Sequence, residues 1–143
     1  MGSQIIGQGP GNTTPDRVTR MYKANGSIAK GDVVGLLVGT SATGYTIDQT
    51  NGTTITPIGV ALAAATDGNW VEVCVGGYCN YVTNDGTDVV AGDFMVAGAG
   101  VAVPYTAAEL GAAPTQYANV FGQSLDAETG TTCTEVFIFR RTP

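Results

Sequence analysis

The sequence is 143 residues long, 43% hydrophobic and 13% charged, which supports one domain, or two small lobes around a shared core, and excludes global disorder. A net charge of −6 argues against a phosphate-backbone partner, and the absence of histidine removes Ser-His-Asp, Cys-His and histidine-metal chemistry. Twenty-one glycines without a triplet period exclude collagen and predict short strands joined by tight turns.

The first four residues, Met1-Gly2-Ser3-Gln4, lack the basic and apolar regions of a secretory signal, so synthesis in the cytoplasm is expected. No apolar run approaches the roughly 20 residues of a membrane helix, and no membrane partner is expected. Gly7, Gly9, Pro10 and Gly11 then forbid a regular helix, and residues 1–17 are predicted to form an extended arm. Ile5 and Ile6 are its only sizeable apolar side chains, so any anchoring contact lies there. Arg17, Arg20, Lys23 and Lys30 against Asp16 give residues 1–30 a net charge of +3, whereas residues 31–143 carry −9. A basic start on an acidic body suits an acidic protein surface, and Ile5, Ile6, Arg17 and Arg20 are the candidate partner contacts.

From residue 18 a period of two predicts a strand, followed by a turn at Asn25-Gly26. Gly31-Asp32 reads as a second turn feeding a buried strand over residues 33–38. Further strands are expected over residues 55–62, 71–75, 78–82, 94–96, 101–103, 119–125 and 134–140, with a turn at Gly98-Ala99-Gly100. One short helix is expected from Thr106, whose spacing to Glu109 is that of a capping box, with Gly111 and Pro114 ending it. In the last strand Phe137 and Phe139 share one face with Glu135 by period two, which makes the two phenylalanines candidate contacts between copies at an interface rim.

The sequence also echoes itself. At an offset of 63, Gly59, Leu62, Ala64 and Thr66 match Gly122, Leu125, Ala127 and Thr129, and Glu72-Val73 matches Glu135-Val136. Gly31-Asp32 matches Gly92-Asp93 at an offset of 61. The ordered series predicts a duplicated β-motif, about residues 24–82 and 83–143, completing a single β-domain over residues 18–143. The expected fold class is all-β, a compact β-sandwich or barrel of two similar β-units with an extended N-terminal arm.

Candidate chemistry is sparse. Asp32 and Asp93 suit an acid–base pair or a hard-cation site, but an Asp accepting backbone N–H groups in a Gly-Asp turn explains both residues and their recurrence. Cys74 and Cys79 would face each other if Gly76-Gly77 were a two-residue hairpin turn, and would lie along one strand if the pair were a bulge. A reducing cytoplasm favours free thiols, and the spacing of Cys74, Cys79 and Cys133 is not that of a zinc site. Residues 7–12 lack the Lys and following helix of a phosphate loop. Trp70 and six tyrosines allow a glycan-binding shelf, although strand aromatics more often serve core or interface. No catalytic residue, metal or cofactor is expected.

The order Ile28-Ala-Lys-Gly-Asp-Val-Val, Ile58-Gly-Val-Ala-Leu, Val71-Glu-Val-Cys-Val-Gly-Gly, Val90-Ala-Gly-Asp-Phe, Phe121-Gly-Gln-Ser-Leu and Glu135-Val-Phe-Ile resembles small capsid decoration, or cement, proteins of tailed bacteriophages and prophages. The resemblance covers about residues 24–140 and leaves out the arm. It implies a compact β-domain on the outer surface of the virion, binding the major capsid protein, commonly as a homotrimer. The other reading left open is a receptor- or glycan-binding head-fibre or tail component.

Overall fold

The computed structural model describes residues 16–39 and 43–139. Its strands begin where glycine and aspartate set a turn. Gly31 and Gly92 sit at φ +90° and +93°, a region that side-chain-bearing residues avoid. The Asp32 carboxylate accepts the Ala29 N–H at 2.8 Å, and the Asp93 carboxylate accepts the Val90 N–H at 2.9 Å. The Gly31 N–H donates to the Ala61 carbonyl at 2.8 Å and the Gly92 N–H to the Ser124 carbonyl at 2.9 Å, tying each turn to the end of a later strand. Both aspartates are buried turn residues, and among the described residues no cluster of acidic and cysteine side chains could hold a metal ion.

Among the described residues eleven strands follow one another: β1 Arg17–Ala24, β2 Val33–Leu36, β3 Thr46–Gln49, β4 Pro57–Ala61, β5 Trp70–Cys79, β6 Val82–Val89, β7 Phe94–Ala97, β8 Ala102–Tyr105, β9 Val120–Ser124, β10 Glu128–Cys133 and β11 Val136–Ile138. Helix α1, Ala107–Gly111, and a 3-10 helix, Pro114–Asn119, separate β8 from β9. Strand β1 pairs in parallel with β3 and antiparallel with β5, so β1-β3-β2-β4-β5 closes into a five-stranded barrel. Closure leaves these strands without a free edge, which removes a template for unwanted pairing. The chain is thus all-β with a barrel, as its turn-rich composition predicts.

Tyr22, Val34, Ile47, Ile58, Val71, Val73 and Val75 pack together in one cluster. Val33, Val60 and Cys74 alternate with them along the same strands and join a second cluster with Val82, Met95, Phe121, Val136 and Ile138. Strands β2 and β4 are therefore buried on both faces, and Val33 and Val34 are both fully buried. Both valines are core because the second half of the chain covers the outer face of β2.

The offsets seen in the sequence recur in the pairing register. Val60 opposes Cys74 and Ala61 opposes Val73 between β4 and β5; Gln123 opposes Phe137 and Ser124 opposes Val136 between β9 and β11. Each strand launched by a Gly-Asp turn then shifts register at the same place, between Val34 and Gly35 in β2 and between Met95 and Val96 in β7. Gly59 and Gly122 mark the closest approach: a Cβ on Gly59 would run into the Cys74 carbonyl oxygen, and one on Gly122 would lie 2.5 Å from that of Phe137.

The separate strands expected over residues 71–75 and 78–82 are one strand up to Cys79. β5 passes through Gly76-Gly77 without turning, because β1 pairs along both halves while β4 and then β11 hold its other side. The register opposite Val18 and Thr19 skips Val75, a bulge, and Gly77 adopts φ +84° there. The hairpin alternative is excluded, and Cys74 and Cys79 lie along one strand. All three cysteines are free and fully buried. Their thiols are expected not to react with Ellman's reagent in the native protein and to titrate as three per chain after denaturation; one per chain would reveal a disulfide.

Candidate interaction surface

Directly opposed residues on neighbouring strands project to the same face of a sheet. Phe94 opposes Gln123, Gln123 opposes Phe137, and Phe137 opposes Tyr78, which lays an aromatic row across β7, β9, β11 and β5. Phe137 is 45% exposed, a large apolar side chain left facing water at the centre of that row. Its ring lies 6.1 Å from that of Phe139, tilted by 58°. The two phenylalanines share a face as their spacing predicts, with Phe139 half-buried.

Beside the row lies an apolar groove of about 570 Å³ lined by Phe94, Ala107, Leu110, Tyr117, Val120 and Phe139. Local chemistry builds its wall. The Thr106 hydroxyl accepts the Glu109 N–H at 3.1 Å and the Glu109 carboxylate accepts the Thr106 N–H at 2.8 Å, the reciprocal capping box that starts α1. Leu110, one turn on, is the buried residue of this helix. Pro114 then opens the 3-10 helix that presents Tyr117. The sequence signalled the cap and the helix, whereas the groove needed residues of β7, α1, β9 and the chain end brought together.

Arg17 opens β1 opposite Gly77, itself opposite Ile138, so Arg17 lies about 10 Å, two strand spacings, from β11. Its Nε is buried with no hydrogen-bond partner among the described residues, while Arg20, on the same strand, is exposed. Ile5 and Ile6 lie outside the described residues. The Cys74 thiol donates to the Gly76 carbonyl and the Cys79 thiol to the Tyr81 carbonyl, each at 3.5 Å; interaction between the two neighbouring thiols raises the Cys74 pKa and lowers that of Cys79, with Arg17 lowering both. Burial pushes the Cys133 thiol up to about 11.

A second exposed aromatic feature sits elsewhere on the barrel. Tyr45 and Trp70 stack with ring centroids 5.7 Å apart and planes 19° apart, both largely exposed. The sequence offered Trp70 with all six tyrosines, and the pairing of β1 with both β3 and β5 brings Tyr45 to it.

The fold and these surfaces define an all-β barrel protein with exposed aromatic side chains on two faces. No family model and no curated protein matches the sequence. Among solved structures, the chain is similar to the N base of head fiber gp8.5 in bacteriophage phi29, with a TM-score of 0.57 and 20% identity over 87% of this chain and 96% of that chain. At that identity the likeness shows a shared fold.

Proposed function

We propose that this chain is a non-enzymatic structural protein of a bacteriophage virion, carried on the outer surface of the head. There it binds the major capsid protein and stabilises the shell by bridging its subunits, as a homotrimer. The observation that carries this reading is the fold shared with a phage head-fibre base over nearly the whole of both chains. The exposed Phe137 row supports association between copies, and the positive residues at the start of β1 support contact with an acidic protein surface. The matching turns and register of the two halves support one β-domain made of two similar units. Many copies on a shell turn weak individual contacts into strong total stabilisation.

The test is co-sedimentation of the purified protein with expanded empty capsids of the phage that encodes it. Saturable decoration and a higher rupture temperature of the decorated shells are expected; no binding at saturating protein overturns the reading. Self-association is tested by light scattering. Phe137→Asp places a charge at the centre of the proposed contact and is expected to reduce the mass from three chains to one while the fold persists. The receptor- or glycan-binding head-fibre reading is favoured by the exposed Tyr45–Trp70 stack, since open aromatic faces pack against sugar rings. Glycan-array binding lost in Trp70→Ala, without capsid decoration, would select it.

A further inference from the structure

Resting on the sugar-binding reading of the Tyr45–Trp70 stack, we propose that the groove beside Trp70 is the subsite of a neutral N-acetylhexosamine. The groove holds about 450 Å³, within the range of small-ligand sites, and Trp70 lines it. Buried Ile28 and half-buried Ala65 are its deepest lining, with Ala64 nearer the surface. Exposed Ser27, Thr66 and Asn69 supply hydroxyl and amide groups at the same opening. The Asn69 amide N–H donates to the Thr66 hydroxyl at 2.5 Å, and the Asn69 side-chain oxygen accepts no hydrogen bond among the described residues. An N-acetylhexosamine matches each part. The C–H face of its ring packs on an indole, its acetamido methyl fills a small apolar recess, and its amide N–H meets a free carbonyl oxygen. Among the described residues no charged side chain lines the groove, and Lys23, which opposes Trp70 in the sheet, is not part of the lining. An acidic sugar would therefore bring a carboxylate without a partner in the groove.

The two loops that form the groove are locked to each other without a ligand. Ile28 and Ala65 exchange N–H to carbonyl hydrogen bonds at 2.9 Å. The Ala24 N–H donates to the Asn69 carbonyl and the Gly68 N–H to the Ala24 carbonyl, both at 2.8 Å. The Gly26 N–H donates to the Asp67 carboxylate, also at 2.8 Å, and Tyr45 stacks on the indole. A recess held in this way loses little conformational freedom when it is filled. The two halves of the chain also differ here. At the offset of 63 that aligns them, Cys133 stands in place of Trp70; Cys133 is fully buried, whereas Trp70 is 55% exposed. The repeated motif is thus completed in the second half without an exposed aromatic side chain, so the indole at residue 70 has a role outside the core.

Trp70 is the only tryptophan of the chain, so its fluorescence reports the groove directly. The full chain, without capsids, is titrated with the methyl glycosides of N-acetylglucosamine and N-acetylgalactosamine. Each is set beside the parent hexoside, which carries a hydroxyl in place of the acetamido group. Saturation by an acetamido sugar at about millimolar concentration is expected, with its parent hexoside at least about ten-fold weaker. Saturation-transfer NMR is expected to mark the acetyl methyl most strongly. Ala64→Leu, at an exposed position, fills the recess and is expected to lower the affinity at least about ten-fold while the melting temperature holds. Equal affinity for acetamido and parent sugars, or binding unchanged in Ala64→Leu, overturns the subsite and leaves the stack as a sugar shelf. No saturation by any of the four glycosides overturns the subsite; a glycan array that is also blank overturns the sugar-binding reading beneath it.

Discussion

Gly59→Ala is expected to lower the melting temperature by about 10 °C, corresponding to roughly 3 kcal/mol lost to overpacking. A Cβ at this position would collide with the backbone carbonyl of Cys74, and backbone held between two neighbours cannot swing aside as a side chain can. β4 and β5 would have to part, breaking the barrel wall where both strand faces are buried. Gly122→Ala, at the matching position between β9 and β11, is expected to fall in the same direction but less, because its Cβ would stand 2.5 Å from the Phe137 carbonyl oxygen. Gly111→Ala is the control: nothing lies within 4 Å of its added Cβ and the residue ends a helix, so stability should hold or rise by a few tenths of a kcal/mol. Thermal melts of the three variants read the series directly. A Gly59→Ala protein melting within about 2 °C of the parent would mean that the strands are not held at this spacing.

Phe121→Ala is expected to cost about 4 kcal/mol, a large part of the 5–15 kcal/mol that stabilises a typical domain. Phe121 is the largest fully buried side chain among the described residues, and its neighbours in the second cluster come from both halves of the molecule, so no single segment can collapse into the space. Denaturant unfolding is expected to show a lower midpoint with an unchanged slope. Phe137→Ala makes the contrast. Its ring already faces water over nearly half its surface, so truncation should cost the isolated fold under about 1 kcal/mol while weakening association between copies. If both substitutions lowered stability alike, Phe137 would belong to the core and the contact surface would need to be sought elsewhere.

Local chemistry was legible where it acts over a few residues. The two Gly-Asp turns, the capping box at Thr106 and Glu109, and the turn at Gly98-Ala99-Gly100 all occupy their expected places, because a positive φ or a short side-chain hydrogen bond is decided by near neighbours. Strands β3, β6 and β10 were not legible. Their segments, Thr-Ile-Asp-Gln, Val-Thr-Asn-Asp-Gly-Thr-Asp-Val and Glu-Thr-Gly-Thr-Thr-Cys, offer little apolar alternation and are recruited by the strands beside them. Asn84 illustrates the point, since its buried amide donates to Thr87 and to Gly130 on the partner strand, a contact 46 residues away.

The candidate surface divides along the same line. Period two placed Phe137 and Phe139 on one face from the sequence, but their exposure depended on which strands lie on either side of β11 and which side chains cover them. Gly76-Gly77 is the clearest case: the dipeptide permits a hairpin or a bulge with similar local cost, and only pairing of β5 with β1, β4 and β11 selects the continuous strand. The sequence alone therefore determined the β class, the duplicated turns and the absence of histidine chemistry, since these follow from composition and short-range geometry. Barrel closure, the burial of both faces of β2 and the groove beside Phe139 were decided by the tertiary structure, because each depends on contacts between residues far apart in the chain, whose pairing no local pattern encodes.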